Sequence, residues 1–331
     1  SASSDVYKRQ NMGSIDKIAD NFIKRKCIFF GSGKFAVPVL QTLLNLKYLE
    51  IILVVTQPDK PGRRGLKLIE TPVSEYINSN HLDLELFKPI ILKNEYDCII
   101  KKYTCDLVLV CDYGQIIPKQ LIDFPKYGSI NIHPSLLPQL RGATPIQMAI
   151  LCGLNETGVT IQKIAQKMDA GDILFQKKLL LDNNINSEVL SDKLAAMASK
   201  MIVEFLPIYF QCKISGVPQD ENNSSYCYIS DVSKDKAQIY FDTDIDFAYR
   251  MVRAFRLFPV AWFVYKNKTI KIFDCKIYST NKNNNLSDFL VKRQGNHLLL
   301  YLKNGILELL DLQMEGKKRM SYKDYYFLDK L

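Results

Sequence analysis

Short continuous apolar runs alternate with segments of helical spacing along the first two thirds of the chain. The runs IILVV (51–55) and LVLVC (107–111) contain no polar position, which is typical of strands buried on both faces of a parallel sheet. A further strand lies in GSINIHPS (128–135), and the first strand precedes the turn at Gly31. Because strands that alternate with helices indicate βαβ units, this pattern predicts an α/β fold with a mostly parallel sheet.

Local signals place the ends of three helices. Thr71 and Thr144 each precede a proline, so each is expected to act as an N-cap residue with Pro at the first helical position. Gly153 follows the last residue of the second of these helices. The segment 187–210 has helical spacing throughout and is expected to be the long helix that closes the first domain.

The pattern changes after residue 211. Gly, Pro, Ser and Asn cluster in 212–225 without a helical period, which indicates a linker. Beyond it, apolar segments pair around Asn267 and at Asn304-Gly305, as expected for two β-hairpins. Several short strands in a segment of about 100 residues predict a small barrel.

Composition and charge narrow the class of protein only slightly. Hydrophobic residues make up 47% of the chain and charged residues 24%, which is ordinary for a globular protein. The net charge of +9 slightly favours binding to an anionic partner. No apolar run reaches the roughly 18 residues of a membrane helix, so no membrane partner is expected. The eight cysteines include no CxxC pair, which argues against a zinc ribbon and for free thiols in a reducing compartment.

Residues 1–26 are expected to be an extension outside the fold, either disordered or not native. The segment SASSDVYKRQNM has no methionine before Met12 and lacks the apolar core of a secretory signal. We therefore expect a cytoplasmic protein, with an organelle matrix as the alternative.

The turn GSGKFA (31–36) fits the G-x-G-x-x-A pattern of dinucleotide-binding proteins only weakly. Such folds need an acidic residue at the end of the second strand to hold a ribose hydroxyl. Here that strand ends in VVTQPD, and Asp59 lies beyond a proline. The sequence therefore argues against nicotinamide or flavin binding.

A second loop, QPDKPGRRGLK (57–67), concentrates positive charge around two glycines. Its basic residues are Lys60, Arg63, Arg64 and Lys67. Arginine pairs with phosphate through two hydrogen bonds, and glycine permits a close approach of the backbone. A solvated surface loop and a phosphate-binding loop both agree with this composition.

Asn131 and His133 stand at the end of a predicted strand, immediately before Pro134. Residues i and i+2 of a strand face the same side, so the amide and the imidazole are expected to converge on one point. Two such donors are suited to stabilise a developing oxyanion. A histidine merely packed against backbone is the alternative, but it would give Asn131 no role.

A tight turn, KMDAGDIL (167–174), supplies two further acidic residues, Asp169 and Asp172. An aspartate beside His133 could hold the imidazole in one tautomer and stabilise its charged form. Ordinary turn chemistry is the alternative for both aspartates. The sequence does not show whether Asp169 meets His133.

These motifs together resemble the methionyl-tRNA formyltransferase family, from about Cys27 to the C-terminus. The segments FFGSGKFAVPVLQTLL, VVTQPDKPGRRG, DYGQIIP, SINIHPSLLPQLRGATPIQMAI, TGVTIQKIAQKMDAGDIL and VRAFRLFPVAW occur in the family's order and spacing. The N-x-H-x-S-L-L-P and D-x-G-D set marks the wider group of folate-dependent formyltransferases. RGATPIQMAI, RAFRLFP and LQMEGKKRM narrow the resemblance to the initiator-tRNA branch.

Four segments depart from the family pattern. Ser32-Gly33-Lys34 stands where the family often has a threonine-proline turn, and Pro134 replaces a common small residue. YCYISDVSK (226–234) is a loose version of a family segment, and LFP (257–259) lacks a usual tryptophan. These departures leave the catalytic positions intact and bear mainly on details that face the tRNA.

The resemblance implies a Rossmann-like formyltransferase domain followed by a small OB-like β-barrel that binds tRNA. The implied divisions are the extension 1–26, the catalytic domain 27–211, the linker 212–225 and the C-terminal domain 226–331. It also implies transfer of a formyl group from 10-formyltetrahydrofolate to the amino group of methionyl-initiator-tRNA. No metal is implied, and a monomer is expected.

By the same resemblance, Asn131 and protonated His133 would donate to the oxyanion, and Asp169 would orient the histidine. Two loops at strand ends would line the folate pocket, and their residues are Ser135, Leu136, Leu137 and Pro138, with Asp112, Tyr113, Gly114, Gln115, Ile116 and Ile117. The basic loop (Lys60, Arg63, Arg64 and Lys67) would contact the acceptor arm of the tRNA.

Two other functions are compatible with parts of the pattern. A folate-dependent formyltransferase acting on an amino sugar or a nucleotide amine would need neither the basic loop nor the barrel. A non-catalytic RNA-binding protein on the same scaffold is expected to have lost Asn131, His133 or Asp169, and all three are present.

Overall fold

A computed structural model of the chain describes residues 24–62, 68–280 and 288–324. The described chain packs into two compact units, and each unit is assembled from three segments. The first unit takes its residues from 1–133, 159–177 and 195–219, and the second from 134–158, 178–194 and 220–331. The domain boundaries expected from the sequence stay a prediction, although the first strand already begins at Arg25.

A seven-stranded sheet forms the centre of the first unit, in the order β10-β9-β7-β6-β1-β2-β5. Its strands are β1 (Arg25–Gly31), β2 (Leu49–Val55), β5 (Leu86–Phe87), β6 (Leu107–Cys111), β7 (Ser129–His133), β9 (Glu156–Lys163) and β10 (Ile173–Leu180). The pairs β1–β2, β1–β6, β2–β5 and β6–β7 are parallel, whereas β7 and β9 run antiparallel. The prediction of a mostly parallel sheet is confirmed.

The apolar runs of the sequence are the central strands of this sheet. Every residue of Leu107–Cys111 is buried, as an uninterrupted run covered on both faces requires. Two very short strands, β3 (Lys60–Pro61) and β4 (Leu68–Ile69), form a separate antiparallel pair. The helices of the first half are α1 (Ala36–Leu44), α2 (Pro72–Ser79), α3 (Leu92–Glu95), α4 (Asp97–Lys102) and α5 (Lys119–Asp123).

Strand β9 is a buried strand that the hydrophobic pattern did not reveal. Val159 and Ile161 are fully buried, but Thr160 and Gln162 between and beyond them are also at most 1% exposed. Because polar residues occupy buried positions in TGVTIQK, the segment shows neither a continuous apolar run nor a polar outer face.

The predicted helix caps have different outcomes. Thr71 caps α2, since its side chain accepts a hydrogen bond from the Ser74 amide at 3.2 Å. Thr144 precedes α6 (Pro145–Leu151) but makes no side-chain cap; its hydroxyl instead donates to the Tyr228 carbonyl at 3.1 Å. Thr144 therefore occupies the predicted N-cap position, with Pro145 at the start of the helix, but its side chain does not supply the expected capping hydrogen bond. The long helix α7 spans Ser187–Tyr209, close to its predicted range.

The second unit contains a buried arginine at the junction of two short strands. Strand β8 (Arg141–Gly142) pairs in parallel with β11 (Tyr226–Cys227). The side chain of Arg141 is fully buried, and it lies 2.9 Å from Glu221 and donates to the Tyr226 hydroxyl at 3.0 Å. This arrangement satisfies a charge that would otherwise be costly to bury.

Helix α8 (Ile245–Ala254) and an antiparallel sheet form most of the second unit. The sheet has the order β12-β13-β16-β15-β14, with β17 (Met320–Ser321) on β16. Its other strands are β12 (Ala261–Tyr265), β13 (Lys268–Ser279), β14 (Leu290–Gln294), β15 (His297–Leu302) and β16 (Gly305–Met314). The hairpin around Asn267 is confirmed. The second turn was predicted one residue late, since Gly305 already pairs with Leu302 and the turn is Lys303-Asn304.

Helices of the described ranges include none that is long and apolar enough to span a membrane.

Candidate active site

Strand β7 carries Asn131 and His133, the two polar residues at the centre of the candidate site. It lies between β6 and β9, so its final residues are held by hydrogen bonds on both sides. Asn131 is half-buried and His133 is 4% exposed. Asn131 pairs with Gln162 across the β7–β9 ladder, and His133 pairs with Thr160. The four side chains therefore share one face of the two strands.

The turn after β9 brings Asp169 back onto this face. Asp169 adopts a left-handed backbone conformation with φ of +49°. A Cβ atom on Gly171 would lie only 1.8 Å from the Lys163 carbonyl oxygen, so no larger residue fits there without a shift of the backbone. The amide of Lys163 donates to the Asp172 carbonyl at 3.0 Å and closes the turn against the end of β9.

Asn131, His133 and Asp169 meet in the structure. Asn131 Nδ2 donates to Asp169 Oδ1 at 3.1 Å, and His133 Nδ1 lies 3.7 Å from Asp169 Oδ2. The other aspartate of the turn, Asp172, faces Lys163 at 3.1 Å and makes an ordinary surface ion pair.

Two glutamines that the sequence analysis did not select complete this cluster. Gln162 Nε2 donates to Asp169 Oδ1 at 2.8 Å. Gln219 Nε2 lies 2.8 Å from the Asp169 carbonyl, 2.7 Å from the Gly171 carbonyl and 3.2 Å from Gln162 Oε1. The sequence signal for Gln162 was its position two residues after the polar Thr160 on the buried strand β9. Gln219 lies at the end of a loop-like segment, and no sequence pattern pointed to it.

The predicted folate loop 112–117 follows β6 and packs on the glycine turn of the first strand. Asp112 has φ of +52°, and its carbonyl accepts hydrogen bonds from the Ser32 and Gly33 amides at 2.9 and 3.3 Å. A Cβ atom on Gly33 would lie 1.9 Å from Asp112 Oδ2. The second glycine of GSGKFA is thus required by a contact within the protein, which accounts for the motif without a nucleotide.

Side chains of the same loop are engaged in different ways. Gln115 Oε1 accepts from the Leu92 amide at 2.8 Å, and its Nε2 donates to the Pro89 carbonyl at 3.1 Å. Tyr113 packs edge-on against Phe30, and burial raises the pKa of its hydroxyl. Ile116 is 88% exposed. Gln115 therefore fixes the loop to the backbone of residues 89–92, while the exposed Ile116 is available to a ligand.

The other predicted folate segment, 135–138, belongs to the second unit. Ser135 is buried, and its hydroxyl donates to the Gln139 carbonyl at 2.6 Å. Leu137 is also buried, and the peptide bond between it and Pro138 is cis. Leu136 is half-buried. Ser135 and Leu137 hold the turn together, so of the four residues Leu136 and Pro138 keep more accessible surface.

Only one of the predicted tRNA-binding residues lies in the described part of the chain. Lys60 is exposed on β3. Arg63, Arg64 and Lys67 lie outside the described residues. Just before β3, Asp59 receives two hydrogen bonds from Lys88 Nζ, at 2.8 and 2.9 Å. Asp59 thus holds the start of the basic loop against Lys88, the residue that directly follows β5. It serves as an ion-pair partner and not as a ribose-binding acid.

Among the residues with described positions, no three His, Cys, Asp or Glu side chains are grouped so that they could hold a metal ion.

Comparison with known sequences matches two family models to successive parts of the chain. The family model for formyl transferases matches residues 25–206, and that for the formyl transferase C-terminal domain matches residues 231–327. The methionyl-tRNA formyltransferase of Caldicellulosiruptor saccharolyticus is 34% identical over 302 residues, which cover 90% of this chain and 95% of the relative. That of Ureaplasma parvum is 36% identical over 301 residues, which cover 91% and 96%.

Solved structures with a similar fold include HypX from Aquifex aeolicus in complex with tetrahydrofolic acid. Its TM-score is 0.60 at 14% identity, over 90% of this chain and 46% of that chain. WlaRD, a sugar 3N-formyl transferase crystallised with dTDP and 5-N-formyl-THF, has a TM-score of 0.61 at 20% identity, over 90% of this chain and 100% of that chain. At these identities the likeness concerns the fold alone.

Proposed function

This chain belongs to the formyl transferase family, among the methionyl-tRNA formyltransferases, and from that premise we propose how it acts. It transfers the formyl group of 10-formyltetrahydrofolate to the amino group of methionyl-initiator-tRNA, the step that prepares this tRNA for translation initiation. The observation that carries the proposal is the convergence of Asn131, His133 and Asp169 at the end of β7, with Asp169 within 3.7 Å of the histidine ring.

The reaction joins the amine nitrogen to the formyl carbon and breaks the bond from that carbon to the folate nitrogen. Negative charge develops on the formyl oxygen as the amine attacks. An amide NH2 has two hydrogens, so Asn131 can donate one to Asp169 and the other to this oxygen. Since Nδ1 of His133 faces Asp169, its Nε2 would be the second donor. One such donor is typically worth about 3 kcal/mol of barrier.

Asp169 has two roles in this proposal. It orients His133, whose Nδ1 lies 3.7 Å from Asp169 Oδ2. It would also move the proton lost by the attacking amine, through a water molecule, to the leaving folate nitrogen. The formyl donor is already activated, so the chemistry assigned to these side chains requires no metal.

The folate pocket stays a prediction that the individual loops support. The backbone of 112–117 is held by the Ser32 and Gly33 amides and by the Gln115 side chain, which leaves a fixed loop with Ile116 exposed. A rigid loop with an accessible apolar side chain suits an aromatic ligand. Ser135, Leu136, Leu137 and Pro138 stay proposed as further folate-binding residues.

Contacts with the tRNA are proposed for the basic loop and the C-terminal part of the chain. Lys60, Arg63, Arg64 and Lys67 would meet phosphates of the acceptor arm. We propose that the antiparallel sheet of the second unit closes into an OB-like barrel, since its strand order β12-β13-β16-β15-β14 combines hairpins with a pairing of β13 and β16, which are distant in sequence. A monomeric state and a cytoplasmic or organelle-matrix location are proposed as well.

The function is tested by a formylation assay with 10-formyltetrahydrofolate and two charged tRNAs. Methionyl-initiator-tRNA is expected to be formylated, and a charged elongator tRNA is not. An amino-sugar nucleotide in place of the tRNA serves as the third acceptor. Formylation of the sugar alone, or of no acceptor, would overturn the proposal.

A double substitution in the basic loop tests the tRNA contact. Arg63→Ala with Arg64→Ala is expected to weaken tRNA binding and to flatten its salt dependence by about 1 to 2 units of log Kd per log salt, since two phosphate contacts are removed. Binding is measured across a salt series. Lys101→Ala with Lys102→Ala removes the same charge from α4 and is expected to leave the slope unchanged. An equal slope for both double variants would contradict the loop contact.

A further inference from the structure

Asp169 is supported by more than the two predicted partners. Oδ1 accepts from Asn131 Nδ2 at 3.1 Å and from Gln162 Nε2 at 2.8 Å, and Oδ2 is the oxygen 3.7 Å from His133 Nδ1. We propose that Gln162 is a positioning residue, which holds Oδ1 so that Oδ2 faces the histidine during formyl transfer. The inference rests on the proposed function and adds a residue to its site.

Two donors on one carboxylate oxygen determine where the other oxygen points. A carboxylate held by one donor can rotate about its Cβ–Cγ bond, which has a broad torsional minimum. Asn131 and Gln162 approach Oδ1 from neighbouring strands, as directly opposed residues of β7 and β9. Their bonds to Oδ1 therefore restrict this rotation and keep Oδ2 on the side of His133.

The Gln162 side chain is itself held in one orientation. It is 1% exposed, so water does not compete for its amide. Its Oε1 lies 3.2 Å from Gln219 Nε2, which can only donate, and its other end faces a carboxylate oxygen, which in the ionised state can only accept. These two neighbours select the orientation in which Nε2 points to Asp169.

Gln219 secures the backbone of the same turn. Its two strongest contacts are with the carbonyls of Asp169 and Gly171, at 2.8 and 2.7 Å. Asp169 has a left-handed backbone, which is unfavourable for a residue other than glycine. Gln219 therefore stabilises the turn that presents Asp169, while Gln162 sets the direction of its carboxylate.

The decisive variant is Gln162→Met, which keeps the length of the side chain and removes the donor. We expect kcat to fall about 10-fold, equivalent to about 1.4 kcal/mol of barrier. KM for the tRNA and for 10-formyltetrahydrofolate is expected to stay within about twofold, because Gln162 acts through Asp169 on the transition state and not on ground-state binding. A kcat within twofold of the wild type would overturn the proposal.

A second variant guards against a loss of folding. Gln162→Glu keeps the shape and the oxygen that faces Gln219 but places a second oxygen against Asp169 Oδ1. Burial and the neighbouring carboxylate both raise the pKa of the introduced carboxyl, which can donate to Asp169 only while it is protonated. The kcat of Gln162→Glu is therefore expected to fall, relative to the wild type, as the pH rises. A Glu variant that folds, judged by thermal unfolding, and has the pH profile of the wild type would count against the positioning role.

Two comparisons separate this role from a general structural one. Gln176→Met removes another half-buried amide, which donates to Thr160 Oγ1 at 2.8 Å, and is expected to leave kcat unchanged. In an Asp169→Asn background, Gln162→Met is expected to cost little further, because the two act as a unit. A full 10-fold loss in that background would overturn the proposal. A wild-type enzyme inactive in the formylation assay would instead refute the proposed function.

Discussion

His133 is the residue on which the proposed chemistry depends most. The sequence predicted its direction from strand alternation, together with that of Asn131, because the period of a strand is two residues. Spacing could not determine which aspartate of the D-x-G-D turn reaches the histidine; the family resemblance selected Asp169. Both residues are aspartates, so their side chains do not distinguish them. In the structure, the left-handed φ of Asp169 and the tight packing of Gly171 against the Lys163 carbonyl determine which aspartate reaches His133. Neither can be inferred from spacing.

His133→Ala is expected to lower kcat by about 100-fold or more, since it removes one donor to the developing oxyanion. Affinity for the tRNA is expected to stay within about twofold, because the only substrate atoms that His133 is proposed to contact are those that react. Steady-state kinetics and a separate binding titration measure the two effects. His81→Asn, on the turn after α2, is the matched control and is expected to change neither. Near-normal turnover of His133→Ala would refute the oxyanion role.

At the scale of elements, the pattern predicted the parallel strands and the hairpins but not β9 and β10. A parallel strand buried on both faces has a simple apolar signature, and β6 shows it. β9 buries threonine and glutamine among its apolar residues, so its composition reflects the site and conceals the strand. Gln162, one of the residues that obscured β9, also supports Asp169.

The turn between β9 and β10 is sensitive to a single methyl group. Gly171→Ala would place a Cβ atom 1.8 Å from the Lys163 carbonyl oxygen, so the turn must shift and carry Asp169 with it. We expect kcat to fall at least 10-fold and the melting temperature to fall by several degrees, in line with a loss of about 1 to 3 kcal/mol from overpacking. Kinetics and thermal unfolding give the two values.

Gly316→Ala is the control for that substitution. Gly316 has φ of +76° and no atom within 4 Å of the Cβ position, so alanine there meets backbone strain without a clash. Its melting temperature is expected to fall slightly and its kcat to stay unchanged. Equal effects of the two substitutions on kcat would contradict the proposed tightness of the Asp169 turn.

At the scale of the whole molecule, net charge is a poor guide to where a polyanion binds. Two arginines of α8 are used inside the protein: Arg250 donates to the Leu151 carbonyl and Arg253 to the Ile185 carbonyl, each at 3.0 Å. Burial lowers the pKa of Arg253. The sequence placed Arg253, but not Arg250, in the RAFRLFP motif of the tRNA-specific branch. Spacing alone could not separate arginines that bind RNA from those that bind the protein backbone.

The distribution of thiols gives a global test of the fold. Cys27, Cys111, Cys227 and Cys275 are buried, and burial raises the pKa of Cys27, Cys111 and Cys275. The exposed thiols are Cys98, Cys152 and Cys212. A thiolate-specific reagent is expected to modify the exposed three within minutes at neutral pH and the buried four only in denaturant. Uniform labelling of all sites in the native protein would contradict the described packing.

The pairing of Asn131 with Gln162 has a consequence for how this region tolerates insertions and deletions. Side chains on a strand alternate, so one residue added or lost in β9 before Gln162 would reverse the parity of everything after it. The side-chain amide of Gln162 would then point to the opposite face of the sheet, and the turn would no longer place Asp169 on the face that carries His133. Length changes by two residues preserve that parity. We therefore expect functional variation in this segment to occur by substitution, or in steps of two, while single-residue length changes are eliminated.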